Sequence, residues 1–166
     1  MTKLRVLYFG SGGGKGVTHM MVNLAVGHAR RGRVEPYLVF RRKRGQPLAE
    51  QFRRQLAEAG VAYCEVVPSP KSRLLAELER AMREFRPEVF VGQGYPEHIW
   101  GRFAAQRAGV PVLLQVEQNH EHYKGLHLRR TRRLAAQTGA IVAVSHAVAD
   151  NLRRLGFANV VRLARA

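Results

Sequence analysis

The sequence predicts a doubly wound α/β fold in one domain, with a mainly parallel sheet of six or seven strands. Short apolar runs alternate regularly with segments of helical periodicity, which is the pattern of an α/β sheet. The runs are continuously apolar, as strands are when helices cover both faces of the sheet. The first run, residues 4–9, leads into a glycine-rich turn and then an amphipathic segment, which is typical of the first strand–loop–helix unit of a ligand-binding sheet.

The elements follow one another without an internal repeat or linker. We expect strands at residues 5–9, 36–40, 61–67, 89–91, 112–116 and 140–144, with a seventh beginning at Val160. Helices are expected at residues 17–31, 47–59, 72–85 and 96–108, in a basic segment ending at Gln137, and at 146–155. Glycine follows four of them, at Gly32, Gly60, Gly109 and Gly156, and Ser145 is the expected N-cap of the last.

The glycine loop, residues 10–16, contains five glycines in seven residues and precedes a helix. A helix N-terminus favours an anion, so the loop indicates a phosphorylated or polar ligand; a turn without a ligand is the alternative. The loop is not a P-loop, because Phe9 replaces its first glycine and Gly16 its Mg²⁺-binding hydroxyl. The dinucleotide fingerprint also fails, because Lys15 and Val17 stand where its third glycine would fall.

Composition limits the possible partners. The net charge is +16, with 23 arginines against 5 lysines, so either phosphate-bearing partners or a general arginine bias accounts for the charge. Few aromatic residues accompany the basic clusters, which makes nucleic acid an unlikely partner. No apolar run is long enough for a transmembrane helix, and the glycine loop interrupts any signal-peptide pattern. Cys64 has no cysteine to pair with. We therefore expect it to be a small core residue on a strand, and we expect a cytoplasmic location.

Five segments together carry a resemblance to a known family: residues 13–25, 56–61, 85–91, 101–112 and 143–156. In their order and spacing the chain resembles the N-terminal, acceptor-binding domain of retaining glycosyltransferases with the B-type fold, of the family-four-like group. The resemblance implies a Rossmann-like domain over residues 1–166. It also implies that the C-terminal domain, which holds most of the nucleotide-sugar site in that family, is absent from this chain.

The resemblance further implies where ligands bind. The glycine loop and the ends of strands four and five should face the cleft for a nucleotide-sugar donor and a glycan or lipid-linked acceptor. The residues expected to contact donor or acceptor are Gly13, Gly14, Lys15, Gly16, His19, Gln93, Tyr95 and Gln118. For His19, capping or exposure to solvent is the open alternative. No cofactor is expected.

One departure from the family pattern concerns the proposed catalytic position. Members commonly carry histidine just after strand five, where this chain has Glu117, with His120 a little further on. Glu117 and His120 are therefore the catalytic candidates; a surface carboxylate at Glu117 is the alternative. Together with Glu121 and His122 they contain metal-ligand types, but the family implies no protein-bound metal. The retaining mechanism it implies lets the departing phosphate accept the acceptor's proton, so this domain positions groups and stabilises charge.

Two further hypotheses concern two clusters of basic residues in the sequence. Residues 41–44 could meet a 2′-phosphate if the chain were a standalone nucleotide- or NADP-binding domain, although the failed glycine fingerprint argues against it. The other cluster should form a basic helix face beside the acceptor cleft and could hold the domain peripherally on the inner face of the cell membrane. Its residues are Lys124, Arg129, Arg130, Arg132 and Arg133.

Overall fold

The structure is a computed structural model that describes residues 2–14, 16–43, 46–95, 97–120 and 123–162. Within these residues, seven strands form one sheet in the order β3-β2-β1-β4-β5-β6-β7, and every neighbouring pair is parallel. The strands are β1 (Leu4–Ser11), β2 (Val34–Arg41), β3 (Ala62–Val66), β4 (Val89–Gln93), β5 (Val112–Glu117), β6 (Ala140–Ala143) and β7 (Val160–Arg162). The predicted parallel α/β sheet is confirmed.

Six helices connect the strands within the described part of the chain. They are α1 (Gly16–Arg31), α2 (Glu50–Glu58), α3 (Lys71–Phe85), α4 (Glu97–Arg107), α5 (Gly125–Ala135) and α6 (His146–Arg154). The predicted ends agree closely except at α2, which begins at Glu50 rather than at Pro47. The helix starts later because the backbone of Ala49 is extended, with φ of −58° and ψ of 144°; the Leu48 amide just before it donates to Glu65 Oε2 at 3.0 Å.

The core lies on both faces of the sheet, as the doubly wound prediction requires. Val6 and Tyr8 of β1 pack with α1 and α2 on one face. Leu7 and Phe9 point the other way and pack with α3 and α4. A third apolar cluster joins β6 to α5 and α6. Successive residues of β1 are thus buried alternately against the two helical layers. This alternation explains why the run is continuously apolar.

Helix ends follow the predicted chemistry. The Ser145 hydroxyl accepts a hydrogen bond from the Val148 amide at 3.2 Å, capping α6. Gly32 follows α1 with φ of 71°, the left-handed conformation expected after a helix. Cys64 lies half-buried on β3, and burial raises the pKa of its thiol. Among the described residues, no helix combines the length and the apolar character needed to cross a membrane.

Candidate functional site

The carboxyl edge of the sheet has a topological switch point between β1 and its neighbour β4, and we refer to this place as the crevice. The chain leaves β1 towards the face that carries α1 and leaves β4 towards the face that carries α4. Their loops therefore diverge, and this switch point is where α/β sheets bind ligands. A Cβ at Gly10 would lie 2.3 Å from Met21 Sδ and 3.4 Å from the Gln93 carbonyl. Glycine at position 10 therefore lets α1 approach the two strand ends closely.

The glycine loop is fixed by its own hydrogen bonds. The Gly12 amide donates to the Arg41 carbonyl at 3.0 Å, and the Gly14 amide donates to Thr18 Oγ1 at 3.1 Å. The Gly13 amide donates to Ser11 Oγ at 3.3 Å. These three amides are engaged with acceptors in β2, α1 and the loop itself, so they do not form the anion cradle that the glycine pattern suggested. The loop instead presents backbone whose amides at Gly12, Gly13 and Gly14 already have acceptors.

Three further residues near this loop, Lys15, Gly16 and His19, were predicted to contact donor or acceptor. Gly16 begins α1, and no atom would lie within 4 Å of a Cβ there. His19 is exposed on the first turns of α1 and packs edge-on against Phe52 of α2, with ring centroids 4.7 Å apart. Lys15 lies outside the described residues.

Gln93, the last residue of β4, has a fully buried side chain. Its Oε1 accepts a hydrogen bond from Gln118 Nε2 at 3.3 Å, which links the ends of β4 and β5. Among the described residues, no group accepts from Gln93 Nε2. Buried amide donors normally have a partner, so this donor has capacity for a water or a ligand at the crevice.

An aromatic cluster lies on the rim of the crevice. Tyr95 follows β4 and is 36% exposed. Its ring meets those of Tyr123 and His127 edge-on, with centroids 5.8 Å away in both cases. His127 is exposed on the first turn of α5. The sequence predicted Tyr95 but missed His127, because nothing local shows that the start of α5 returns to the end of β4.

Glu117 ends β5 and is almost completely buried, with 1% of its side chain exposed. The surface-carboxylate alternative is therefore wrong. Its Oε2 accepts hydrogen bonds from the Tyr123 hydroxyl at 2.6 Å and from Gln115 Nε2 at 2.8 Å. His120 is exposed in the loop that follows. The two catalytic candidates therefore lie in opposite environments.

A buried chain of hydrogen bonds connects Glu117 to Arg102, which is fully buried in α4. Arg102 Nη2 lies 2.9 Å from His98 Nδ1, and because arginine only donates, Nδ1 must accept. In the neutral ring the proton is then on His98 Nε2, which lies 2.7 Å from the Tyr123 hydroxyl. The Tyr123 hydroxyl in turn donates to Glu117. Every donation runs from the guanidinium towards the carboxylate.

The charges at the two ends of this chain compensate each other. Burial lowers the pKa of His98 well below its ordinary 6.5, and the Arg102 cation lowers it further. Burial also lowers the pKa of Arg102 to about 10, against the opposing influence of Tyr123 and Glu117. At neutral pH the Arg102 guanidinium is therefore linked to Glu117 through a neutral histidine and a tyrosine. Arg102 Nη1 also donates to Thr138 Oγ1 at 2.8 Å, which ties α4 to the segment after α5.

A second buried pair closes the crevice on the side of β2. Glu97, on the first turn of α4, is 2% exposed, and its Oε1 accepts from Arg41 Nε at 2.6 Å. Arg41 is the last residue of β2. The first arginine of residues 41–44 is therefore committed to a protein carboxylate.

The outer side of α5 carries exposed basic side chains. Thr131, Leu134 and Ala135 are buried on the inner side of α5. The cationic side chains are all exposed: Lys124, which precedes α5, and Arg129, Arg130, Arg132 and Arg133. Arg132 differs from the others, because its Nε donates to the Leu155 carbonyl at the end of α6 at 2.8 Å.

No group of three or more His, Cys, Asp or Glu side chains able to hold a metal ion occurs among the described residues. Of the metal-ligand types considered after β5, Glu121 and His122 lie outside that part of the chain.

Comparison with known proteins identifies the family. The sequence profile of the glycosyl transferase 4-like domain matches residues 14–165. HepE from Anabaena, crystallised with UDP-glucose, has a similar fold, with a TM-score of 0.72 at 16% identity over 96% of this chain. A glycosyltransferase from Rickettsia africae gives a TM-score of 0.75 at 13% identity over 99% of this chain. UDP-GlcNAc 2-epimerase from Methanocaldococcus jannaschii gives 0.61 at 12% identity over 97% of this chain.

These structures are longer than the chain. It covers 43% of HepE, 44% of the Rickettsia protein and 45% of the epimerase, which is less than half of each. At such identities the likeness shows the fold alone. No curated protein sequence matches the chain.

Proposed function

The chain belongs to the family of glycosyl transferase 4-like domains, and we propose that it is the acceptor-binding half of a retaining glycosyltransferase. It would act in the transfer of a sugar from a nucleotide-sugar donor to a glycan or glycolipid acceptor. The family match over residues 14–165 carries this proposal. The switch point of the sheet supports it, because the predicted binding residues Gln93 and Gln118 contact each other at the ends of β4 and β5, where such sheets bind ligands.

Most donor contacts are proposed to come from a second domain. The chain covers only 43% of HepE, whose crystal structure contains UDP-glucose. This domain would contribute the rim of the crevice: the Gln93 amide, the Tyr95 ring and the Gln118 amide. A UDP-sugar is the first donor to test.

The proposed mechanism gives the domain a positioning task. The departing donor phosphate accepts the acceptor's proton, so no strong protein base is required. His120, exposed after β5, is proposed to contact a reacting sugar. Glu117 is buried and is proposed to act through Tyr123, whose ring supports Tyr95. A rigid rim lowers the entropic cost of aligning donor and acceptor.

Two other activities are less well supported. A 2′-phosphate site for NADP would use the cations after β2, the first of which, Arg41, is paired with buried Glu97, and the family match favours a glycosyltransferase domain over a standalone nucleotide-binding domain. Sugar-nucleotide epimerisation shares the fold, as the Methanocaldococcus enzyme shows, but the family match favours transfer.

The basic face of α5 is proposed to hold the domain on an anionic membrane surface near its acceptor. Arg129, Arg130 and Arg133 are exposed on one side of the helix. Leu126, on its first turn, is 60% exposed. An apolar side chain among cations suits the boundary between headgroups and acyl chains.

The test compares this chain with a longer protein that carries it together with a second domain. Each is incubated with UDP-glucose and candidate acceptors, and products are identified by mass spectrometry. The longer protein should form a glycosylated acceptor with retained anomeric configuration, and the 166-residue chain alone should not. Efficient transfer by the chain alone would contradict the half-site proposal. Acceptor-independent conversion of a UDP-sugar to its epimer would contradict the assignment as a transferase.

A further inference from the structure

A cavity of about 430 Å³ lies between the glycine loop and the segment that connects β2 to α2. Gly12, Gly13 and Gly14 form one wall, and Lys43, Gln46, Pro47 and Ala49 form the other. Its volume falls within the range of small-molecule sites. Of these residues, Gly13 and Gly14 were predicted as donor or acceptor contacts, and Lys43 belongs to residues 41–44, which were considered only for the 2′-phosphate of NADP.

The walls of this cavity are held by hydrogen bonds. On the loop side, the Gly12 amide is bonded to the Arg41 carbonyl. On the other side, the Gln46 amide donates to the Lys43 carbonyl at 3.0 Å, and the Leu48 amide is bonded to Glu65. The cavity is therefore a formed site and needs little ordering to accept a ligand.

Lys43 supplies the charge of the cavity. Arg41 pairs with Glu97 and Arg42 with Glu65, whereas Lys43 has no ion-pair partner among the described residues. No carboxylate belongs to the described lining. Since the amides of the glycine wall are engaged internally, a cationic side chain is the group here that can neutralise a bound anion.

Gly13 makes room for that side chain. A Cβ at position 13 would lie 2.5 Å from Lys43 Cδ and 3.5 Å from its Nζ. The lysine stem therefore lies across the glycine wall, and any side chain at position 13 would displace it. The position of the Lys43 side chain therefore depends on glycine at position 13.

We propose that this cavity binds a phosphate group of the acceptor, with Lys43 as its counter-charge. The inference rests on the proposed acceptor-binding function and adds the substrate class: an acceptor that carries a phosphate monoester or diester. A lysine ammonium is a suitable phosphate ligand because it is a compact cation with three donors. A soluble sugar phosphate and a lipid-linked phosphate share this chemistry.

The test is a titration of the purified chain at low ionic strength, where charge interactions are least screened. The probes are glucose 6-phosphate against glucose, glycerophosphoglycerol against glycerol, and UDP against uridine. Binding should require the phosphate, and Lys43→Gln should weaken it about tenfold, as expected for the loss of one charge-assisted contact. Gly13→Ala should weaken it in the same direction by displacing the lysine. Whichever of the two acceptor probes binds more tightly identifies the phosphate source.

Arg54→Gln is the matched control. Arg54 is exposed on α2 and its replacement removes the same charge, so it should leave the affinity unchanged. Equal weakening by Lys43→Gln and Arg54→Gln, or equal binding of glucose and glucose 6-phosphate, would overturn the inference. Dependence on Lys43 for UDP alone would overturn the acceptor assignment. If transfer by the longer protein persists with unphosphorylated acceptors only, this inference fails while the proposed function stands.

Discussion

The Tyr123 hydroxyl lies 2.6 Å from Glu117 Oε2 and 2.7 Å from His98 Nε2, so one tyrosine joins the end of β5 to the first turn of α4. Both partners are buried. Tyr123 lies in the connection between β5 and α5, and its ring contacts Tyr95 at the crevice rim. The buried hydrogen bonds therefore fix the position of an aromatic group that the proposed ligand would meet.

Tyr123→Phe should lower the free energy of unfolding by about 3 kcal/mol, because it removes a donor from a buried carboxylate and the acceptor of a buried imidazole N–H. Urea denaturation measures the loss. Tyr8→Phe is the matched control: the Tyr8 hydroxyl bonds half-buried His28 at 2.7 Å, where water can replace the lost group. We expect a cost of about 1 kcal/mol there. Equal costs would show that the Tyr123 network gains nothing from burial.

The stability of the domain should fall below pH 6.5 because of His98. The pKa of His98 is well below its ordinary 6.5 in the folded protein, so the unfolded chain binds the proton first. Stability is therefore fully present above pH 6.5 and decreases as pH falls, by up to about 1.4 kcal/mol per pH unit until the folded-state pKa is reached.

Urea denaturation at pH 7 and pH 5 measures this dependence. The decrease should be smaller in His98→Gln, which cannot titrate. If that variant does not fold, the His98 ring resonances of the unmodified chain serve instead, and they should stay in the neutral form at pH 5. Titration of these resonances near pH 6.5 would contradict the prediction.

The fold could be predicted from the sequence because its signals are local. Apolar runs, helical spacing and glycines after helices gave all seven strands in order, with ends differing by only a few residues. The error at α2 is instructive. Pro47 has the pattern of a first helical residue, but the adjacent Leu48 amide is bonded to Glu65, 17 residues away. The segment before α2 is thus extended at Ala49 and bonded to β3, and the local sequence shows neither feature.

The candidate site was only partly predictable. The end of β5 marked Glu117 correctly as a residue of the carboxyl edge, but its burial depends on Tyr123 and α4. His98 and Arg102 are four residues apart and so share one face of a helix. That spacing does not reveal that β5 and α5 cover the face. Lys43 was considered only within residues 41–44 as a possible contact for NADP, because the cavity that it lines exists only where two loops from different strands meet.

Gln93→Leu should change the free energy of unfolding by less than about 1 kcal/mol, because the loss of a buried donor that has no acceptor among the described residues offsets the loss of the hydrogen bond from Gln118 Nε2. Gln115→Leu is the matched variant on β5. Gln115 Nε2 donates to Glu117 at 2.8 Å, so we expect a loss of about 2 kcal/mol. Sugar transfer by the longer protein should fall in Gln93→Leu despite its intact stability. Unchanged transfer would show that Gln93 has no ligand role.

Gly14→Ala should destabilise the domain by about 1 kcal/mol, because Gly14 has φ of 72°, which L-residues adopt at a cost. No atom would lie within 4 Å of the added Cβ, so the effect isolates backbone strain. Gly16→Ala adds the same methyl group in equally open space at the start of α1. It should be neutral or slightly stabilising. Thermal unfolding of the two variants checks this, and similar midpoints would contradict the strain argument.

Replacing Arg129, Arg130 and Arg133 with glutamine should release the domain from anionic vesicles. Each arginine near such a surface contributes about 1 kcal/mol, so the triple variant should lose affinity by about two orders of magnitude. Arg132 is left in place because its bond to the Leu155 carbonyl supports α6. Sedimentation with phosphatidylglycerol vesicles measures binding, which should be weak for neutral vesicles and should fall at high salt.

The control for the vesicle experiment removes three exposed arginines that lie outside α5, Arg30, Arg31 and Arg33. These side chains lie where α1 ends and β2 begins, so the control has the same net charge as the α5 variant but keeps the basic face intact. If the proposal is correct, the control binds vesicles like the parent chain, because position on the surface decides the affinity. Equal losses in the two variants would show that only the overall charge matters, and the basic face of α5 would then have no specific membrane role.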